Sequence, residues 1–418
     1  MNAGQRPGGQ GKAVLLYLSV IVLYVNIYAV PPMTLSIIRE LGISHFQAGL
    51  LMTTFAVVYC LGNALVGLLS DRWGALRVMV GGLSLGYLAS LLLSVTGNFP
   101  LMLASRVLSG VAAAAMTTPC LITLIRWFPP ERKSLSVSLH LASLTLGSAV
   151  VFLVTPVLLP HISWRTLLRL YALAGAVALI PLLLLLRGPA VVPAALRAAG
   201  GGSIPRPAAA VVALLSAVLF VTLFQIGGTL TWLAPWLEEK SGFLPLQAGL
   251  AAMTFSLVGI PSALLGGYLA DRLTGPRALR IVRMSMVGVL VSTAVIALGW
   301  LQGPRWFALV LVVIVLSRWG SFMAVGPLLS LVPRLARPGE EGSLMGVVNA
   351  VTMSGSVAAS FIGGLIIEVA GNYRSLWIVL AAALLVSALV LHPLLNRRWA
   401  ALDLVSQGAD AKGSAADD

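Results

Sequence analysis

Gly67-Leu68-Leu69-Ser70-Asp71-Arg72 recurs as Gly267-Tyr268-Leu269-Ala270-Asp271-Arg272, 200 positions further along the chain. The register holds without a gap around both copies: Gln47-Ala48-Gly49-Leu50 returns as Gln247-Ala248-Gly249-Leu250, Thr54-Phe55 as Thr254-Phe255, and Arg77 as Arg277. Self-similarity of that length marks a duplicated chain. Its setting is apolar: 59% of the 418 residues are hydrophobic and only 10% charged, where a soluble globular protein carries about a quarter charged. Duplication in a chain that water would not dissolve points to a membrane transporter.

An apolar run of about 20 residues crosses the hydrocarbon core. About twelve such runs fall near 13–38, 47–70, 76–96, 101–128, 135–159, 167–186, 208–237, 247–270, 278–301, 306–332, 343–370 and 376–395, here called spans 1 to 12. With the amino terminus inside, Lys and Arg favour the cytoplasmic loops about threefold, as the positive-inside rule expects. Both termini are therefore expected in the cytoplasm and the chain in the cytoplasmic (inner) membrane. The net charge of +14 is scattered over short loops, so anionic lipid rather than nucleic acid is its expected partner. Span 1 is too long for a cleaved signal peptide and no small-residue cleavage site closes it. Cys60 and Cys120, the two cysteines, both lie in spans and support neither a disulfide framework nor a metal cluster.

Proline and glycine between 187 and 207, including Gly200-Gly201-Gly202, read as a flexible linker. The expected division is residues 1–187 for one bundle, 188–207 for a cytoplasmic linker, 208–398 for a second bundle and 399–418 for a polar, disordered tail. In the repeated loop, Gly67 and Gly267 let neighbouring helices approach closely. Asp71 and Asp271 are placed to accept from a helix amino terminus, and Arg72, Arg77, Arg272 and Arg277 to grip carbonyls or lipid phosphate. These charges are candidate gating residues; anchoring the topology is the alternative.

Gly67, Asp71, Arg72, Gly74 and Arg77 form Gly-x-x-x-Asp-Arg-x-Gly-x-x-Arg, which resembles the cytoplasmic signature of the major facilitator superfamily. The second copy departs from it, with Thr274 where glycine is usual and Gly275 one step later. Arg106 and Gly110 resemble the family's Arg-x-x-x-Gly motif in span 4. The resemblance implies an all-α membrane protein: twelve transmembrane helices in two pseudo-symmetric six-helix bundles. It also implies a central cavity lined mainly by spans 1, 4, 7 and 10, and alternating access by rocking of the halves.

Every Asp and Glu falls in a loop or at a helix end, which leaves the middle of the bilayer without a carboxylate. Two arginines do lie within spans, Arg106 in span 4 and Arg318 in span 10. An intramembrane charge costs at least about 2.5–3.5 kcal/mol and normally faces a bundle interior or wet cavity with a partner. With no acid at that depth, a bound anion is the expected partner, because the planar guanidinium fork fits carboxylate, nitrate-like or phosphate oxygens. Arg106 matches a motif shared by carriers of unrelated substrates, so a structural role stands beside substrate contact; Arg318 carries no such motif. Asn26 and Tyr28 in span 1, and Gln225, Thr229 and Trp232 in span 7, are the other candidate substrate contacts, with helix-to-helix bonding as the alternative for each.

Span 5 lacks the family's glycine-proline antiporter motif, and residues 126–132, Arg-Trp-Phe-Pro-Pro-Glu-Arg, resemble a loop of its organic-anion and nitrate/cyanate-type carriers. The expected activity is secondary transport of a small organic or inorganic anion by a monomer, driven by substrate or ion gradients. An exporter of amphipathic compounds or drugs is the alternative within transport, and a transporter-like membrane receptor or assembly factor the alternative outside it. No nucleotide loop, metal cluster or nucleophile–base pair is present in the sequence, so no cofactor and no enzymatic activity are expected.

Overall fold

The computed structural model describes residues 9–128, 133–186, 206–272, 276–332, 335 and 341–401. Span 1 is two helices, α1 (Gly9–Ile27) and α2 (Val30–Leu41). Pro31 and Pro32 have no N–H to donate back, so α1 stops before them and α2 restarts with them in its first turn. The amino-terminal half continues with α3 (His45–Trp73), α4 (Ala75–Val95), α5 (Phe99–Trp127), α6 (Lys133–Leu158) and α7 (Trp164–Leu186). The carboxy-terminal half holds α8 (Arg206–Glu239), α9 (Pro245–Arg272), α10 (Pro276–Leu298), α11 (Phe307–Leu331), α12 (Glu341–Ala370) and α13 (Tyr373–Val386).

Among the described residues, 11 helical segments are long and apolar enough to cross a membrane. The 23-residue α7 supplies the remaining crossing of the expected twelve. The protein is an all-α, multi-pass membrane protein of two pseudo-symmetric bundles.

Two expected boundaries shift. The linker lies outside the described residues except for Arg206 and Pro207, which already open α8. The last helix passes through a π turn (Ser387–Leu391) and runs to Ala401 rather than ending at residue 398. Trp399, 5% exposed, packs in a core with Val211 and Leu215 of α8 and Leu279 and Val282 of α10, and that burial holds the extra turn in place.

The repeated Gln-Ala-Gly-Leu segments have a structural task. Each glutamine closes the start of its helix: Gln47 Oε1 accepts from Ser44 N at 2.9 Å while Ser44 Oγ accepts from Gln47 N, and Gln247 Oε1 accepts from Leu244 N at 3.1 Å. Each glycine then lets the two halves touch. A Cβ on Gly49 would stand 2.6 Å from Ser360 O of α12, and one on Gly249 would strike Phe152 O and Pro156 of α6. These contacts, α3 on α12 and α9 on α6, form a seam between the halves at the end of the bundle opposite the chain termini, called distal below.

Polar groups line the same seam. His45 Nε2 meets Glu239 Oε2 at 3.1 Å, Tyr373 Oη donates to the same oxygen at 2.8 Å, and Phe46 N donates to Glu368 Oε2 at 2.9 Å. A cavity of about 190 Å³ lies among Ser44, His45, Glu239, Glu368 and Tyr373.

Candidate functional site

The two intramembrane arginines occupy different surroundings. Arg106 sits near the start of α5 and is 2% exposed. Its Nη2 donates to Ser109 Oγ at 2.6 Å and its Nη1 to Ile27 O at 3.4 Å, with the ring of Phe55 5.9 Å away. Ile27 is four residues before Pro31, so its carbonyl is the one that the missing proline N–H leaves without a helical donor. Arg106 supplies that donor and holds the broken span 1 against α5. Replacing Arg106 with Gln should therefore strip a partner from a buried carbonyl, at about 1–3 kcal/mol. The expected result is a melting temperature lower by a few degrees for the purified, unliganded protein; an unchanged melting temperature would contradict this role.

Arg318 lies midway along α11, 5% exposed, and its Nε and Nη1 have no hydrogen-bond partner among the described residues. The guanidinium is held by rings instead. Its carbon stands 3.9 Å from the ring centre of Phe322, one turn along α11, and 4.5 Å from that of Phe255 on α9. Room for it comes from Gly259, where a Cβ would lie 2.8 Å from Arg318 Nε. The internal repeat explains the contrast. Phe55 and Phe255 are equivalent positions and each faces an arginine, but Tyr59 in the first half corresponds to Gly259 in the second. Tyr59 stacks on Phe55, with ring planes 7° apart; the glycine leaves that space to Arg318.

Tyr28, in the break between α1 and α2, is half-buried and close enough to Arg318 for the two to interact electrostatically across the halves. Its ring is 5.9 Å from Tyr24 and 6.4 Å from Phe55, and Tyr24 Oη shares a hydrogen bond with Thr117 Oγ1 at 3.1 Å. Tyr28, Phe55 and Tyr59 thus make an aromatic cluster on the amino-terminal half, and Tyr28 is the member that meets the guanidinium of the other.

The remaining candidates lie elsewhere or are occupied. Asn26 Nδ2 donates to Val22 O and Tyr171 O, tying α1 to α7. Gln225 donates to Thr229 Oγ1 and Ser317 Oγ and accepts from Ser321 Oγ, which joins α8 to α11 directly beside Arg318. Thr229 is thereby Gln225's partner. Trp232 belongs to the distal seam, 6.4 Å from the His45 ring and against Gly49 and Gly364. Of the gating candidates, Arg72 and Arg77 are exposed, while the side chains of Asp71, Asp271, Arg272 and Arg277, with Gly67 and Gly267, lie outside the described residues. Residue types alone did not mark Phe255, Phe322, Gly259 or Tyr59; the Thr-Phe repeat was the available signal for the first.

The sequence pattern of the Major Facilitator Superfamily matches residues 16–360 and again 234–402. The chain belongs to the Major Facilitator Superfamily. Its resemblance to the cytoplasmic signature and the two-bundle fold agree with that membership, and the family consists of transporters rather than enzymes. Among curated relatives, it is 24% identical over 277 residues to the uncharacterized MFS-type transporter YfhI of Bacillus subtilis, covering 63% of this chain and 64% of that protein. It spans less still of a rice protein named probable anion transporter 2, with 28% identity over 32% of this chain and 26% of the relative. Coverage is longer for the probable nitrate/nitrite transporter NarK2 of Mycobacterium tuberculosis, 25% identical over 82% of this chain and 86% of the relative. The 4-hydroxybenzoate transporter PcaK of Pseudomonas aeruginosa is 25% identical, covering 86% of both. A bacterial homolog of the human lysosomal transporter Spinster shares the fold, with a TM-score of 0.74 at 15% identity over 95% of this chain and 98% of that one.

Proposed function

We propose that this superfamily member is a secondary transporter that carries a small anion across the cytoplasmic membrane, both termini inside, by alternating exposure of the site between its halves. The observation that carries this reading is Arg318: a buried guanidinium whose Nε and Nη1 have no hydrogen-bond partner among the described residues, at a depth where the sequence has no carboxylate. An isolated charge in the bilayer is costly enough to need a function or a partner, and a ligand oxyanion supplies both. The named relatives support it, since nitrate or nitrite, 4-hydroxybenzoate and unspecified anions are chemically diverse and share only their negative charge. Arg318 is the electrostatic anchor; Arg106, already bonded within the protein, keeps the cavity wall in shape. A substrate or ion gradient drives the cycle.

The test is stabilisation of the detergent-purified protein against heat by a panel of acetate, benzoate, succinate, nitrate and tetraphenylphosphonium. One or more of the anions should raise the melting temperature. Stabilisation by the hydrophobic cation alone would replace this reading with the amphipathic exporter.

A further inference from the structure

Resting on the anion reading, the geometry around Arg318 narrows the class of anion. Two rings pack against the guanidinium, with its carbon 3.9 Å from the ring centre of Phe322 and 4.5 Å from that of Phe255. Its Nε and Nη1 are buried without a hydrogen-bond partner among the described residues, and guanidinium N–H groups point outward in the plane of the group. Edge-on pairing suits oxygens lying in the guanidinium plane, which is the geometry of a carboxylate.

The charge count is one. Arg106 spends Nη1 and Nη2 on Ile27 O and Ser109 Oγ, which leaves only its Nε without a partner among the described residues, and the amide N–H groups of Asn26 and Gln225 are committed to the protein. A second carboxylate would find no free cation beside Arg318 among these groups. What meets Arg318 instead is Tyr28, the near member of a ring cluster in which Tyr28 and Tyr59 are only half-buried and Phe55 stacks on Tyr59 at 6.0 Å. Such rings favour a flat, polarisable body over a hydrated inorganic ion.

We infer that the site takes an aromatic monocarboxylate, its carboxylate edge-on to Arg318 and its ring against Tyr28, Phe55 and Tyr59.

The experiment is counterflow of radiolabelled benzoate into proteoliposomes holding the full chain. Acetate is the competitor with charge but no ring, benzamide has the ring but no charge, succinate carries two charges, and nitrate is a planar inorganic ion. Unlabelled benzoate should compete at least about tenfold better than acetate, nitrate or succinate, and benzamide should not compete. The Tyr59→Ala protein should bring benzoate to within about twofold of acetate by lowering benzoate affinity alone. Better competition by nitrate or succinate would overturn the aromatic assignment and leave the anion reading standing, as would uptake of labelled acetate without uptake of benzoate. Equal competition by benzamide and benzoate, or uptake of none of these anions, would overturn both.

Discussion

Arg318→Gln is expected to abolish anion transport while leaving the unliganded protein as stable as the parent or more so. The two effects separate because the guanidinium has no hydrogen-bond partner at Nε or Nη1 to lose among the described residues. Removing it relieves a burial cost of at least about 2.5–3.5 kcal/mol on the insertion scale and gives up ring contacts worth about 0.5–2 kcal/mol. Binding changes in the other direction. Truncating one side of a buried hydrogen-bonded charge pair costs about 2–5 kcal/mol, which is roughly 30-fold to several-thousand-fold in affinity. Proteoliposome uptake and a melting curve without ligand, measured on the same preparation, check both halves. Retained uptake would sink the anchor assignment; a collapsed melting temperature would mean that Arg318 is structural. Arg106→Gln should show the opposite pattern, because its guanidinium is bonded within the protein.

The second large effect is conformational. Gly249→Val, and its repeat equivalent Gly49→Val, should disfavour the closed distal seam without unfolding either half. A side chain at Gly249 meets Phe152 O and Pro156, and one at Gly49 meets Ser360 O at 2.6 Å and the backbone of Gly364; all belong to the opposite half. Overpacking of this kind costs about 1–3 kcal/mol, enough to shift a two-state equilibrium about 5- to 150-fold. Halves that separate escape the clash, so opening of the seam is favoured over unfolding. Ser360, 4% exposed and with its carbonyl oxygen 2.6 Å from where a Cβ on Gly49 would stand, is the reporter site. As Ser360→Cys in a background with Cys60 and Cys120 replaced by serine, it should react with an impermeant maleimide several-fold faster in Gly249→Val, and uptake should fall at least about tenfold. Unchanged labelling at normal folded yield would refute the role of the glycine.

Duplication was legible because the residues that recur are those backbone geometry demands: Gln47 and Gln247 at helix starts, Gly49 and Gly249 at a helix crossing. The transporter fold follows from that repeat and from the spacing of the apolar runs. The isolation of Arg318 was half legible. Absence of acids in the spans is a fact of sequence, and Phe322 lies one turn away on the same helix face; Phe255 depends on how α9 and α11 are rotated against each other. Asn26 and Gln225 show the limit plainly. A mid-membrane amide reads the same whether it faces a cavity or a neighbouring helix, and here both hold helices together. Trp232 was hidden for a related reason, since distance along α8 sets its depth and the approach of α3 and α12 sets its company.

The broken span 1 and the seam differ in the range of the forces that hold them. Arg106 reaches the freed carbonyl of Ile27 through a charge-assisted bond, whose attraction fades gradually with distance. At Gly49 and Gly249 the halves touch backbone to backbone, and dispersion loses a quarter to a half of its well over a gap of about 0.5–1 Å. Those glycine contacts behave as a snap fastener rather than a spring, stiff while shut and insensitive to salt, and the His45–Glu239 and Phe46–Glu368 bonds across the same seam supply what attraction persists as it parts. A carrier built on it would spend little time half-open, and half-open is the state through which an uncoupled anion would leak.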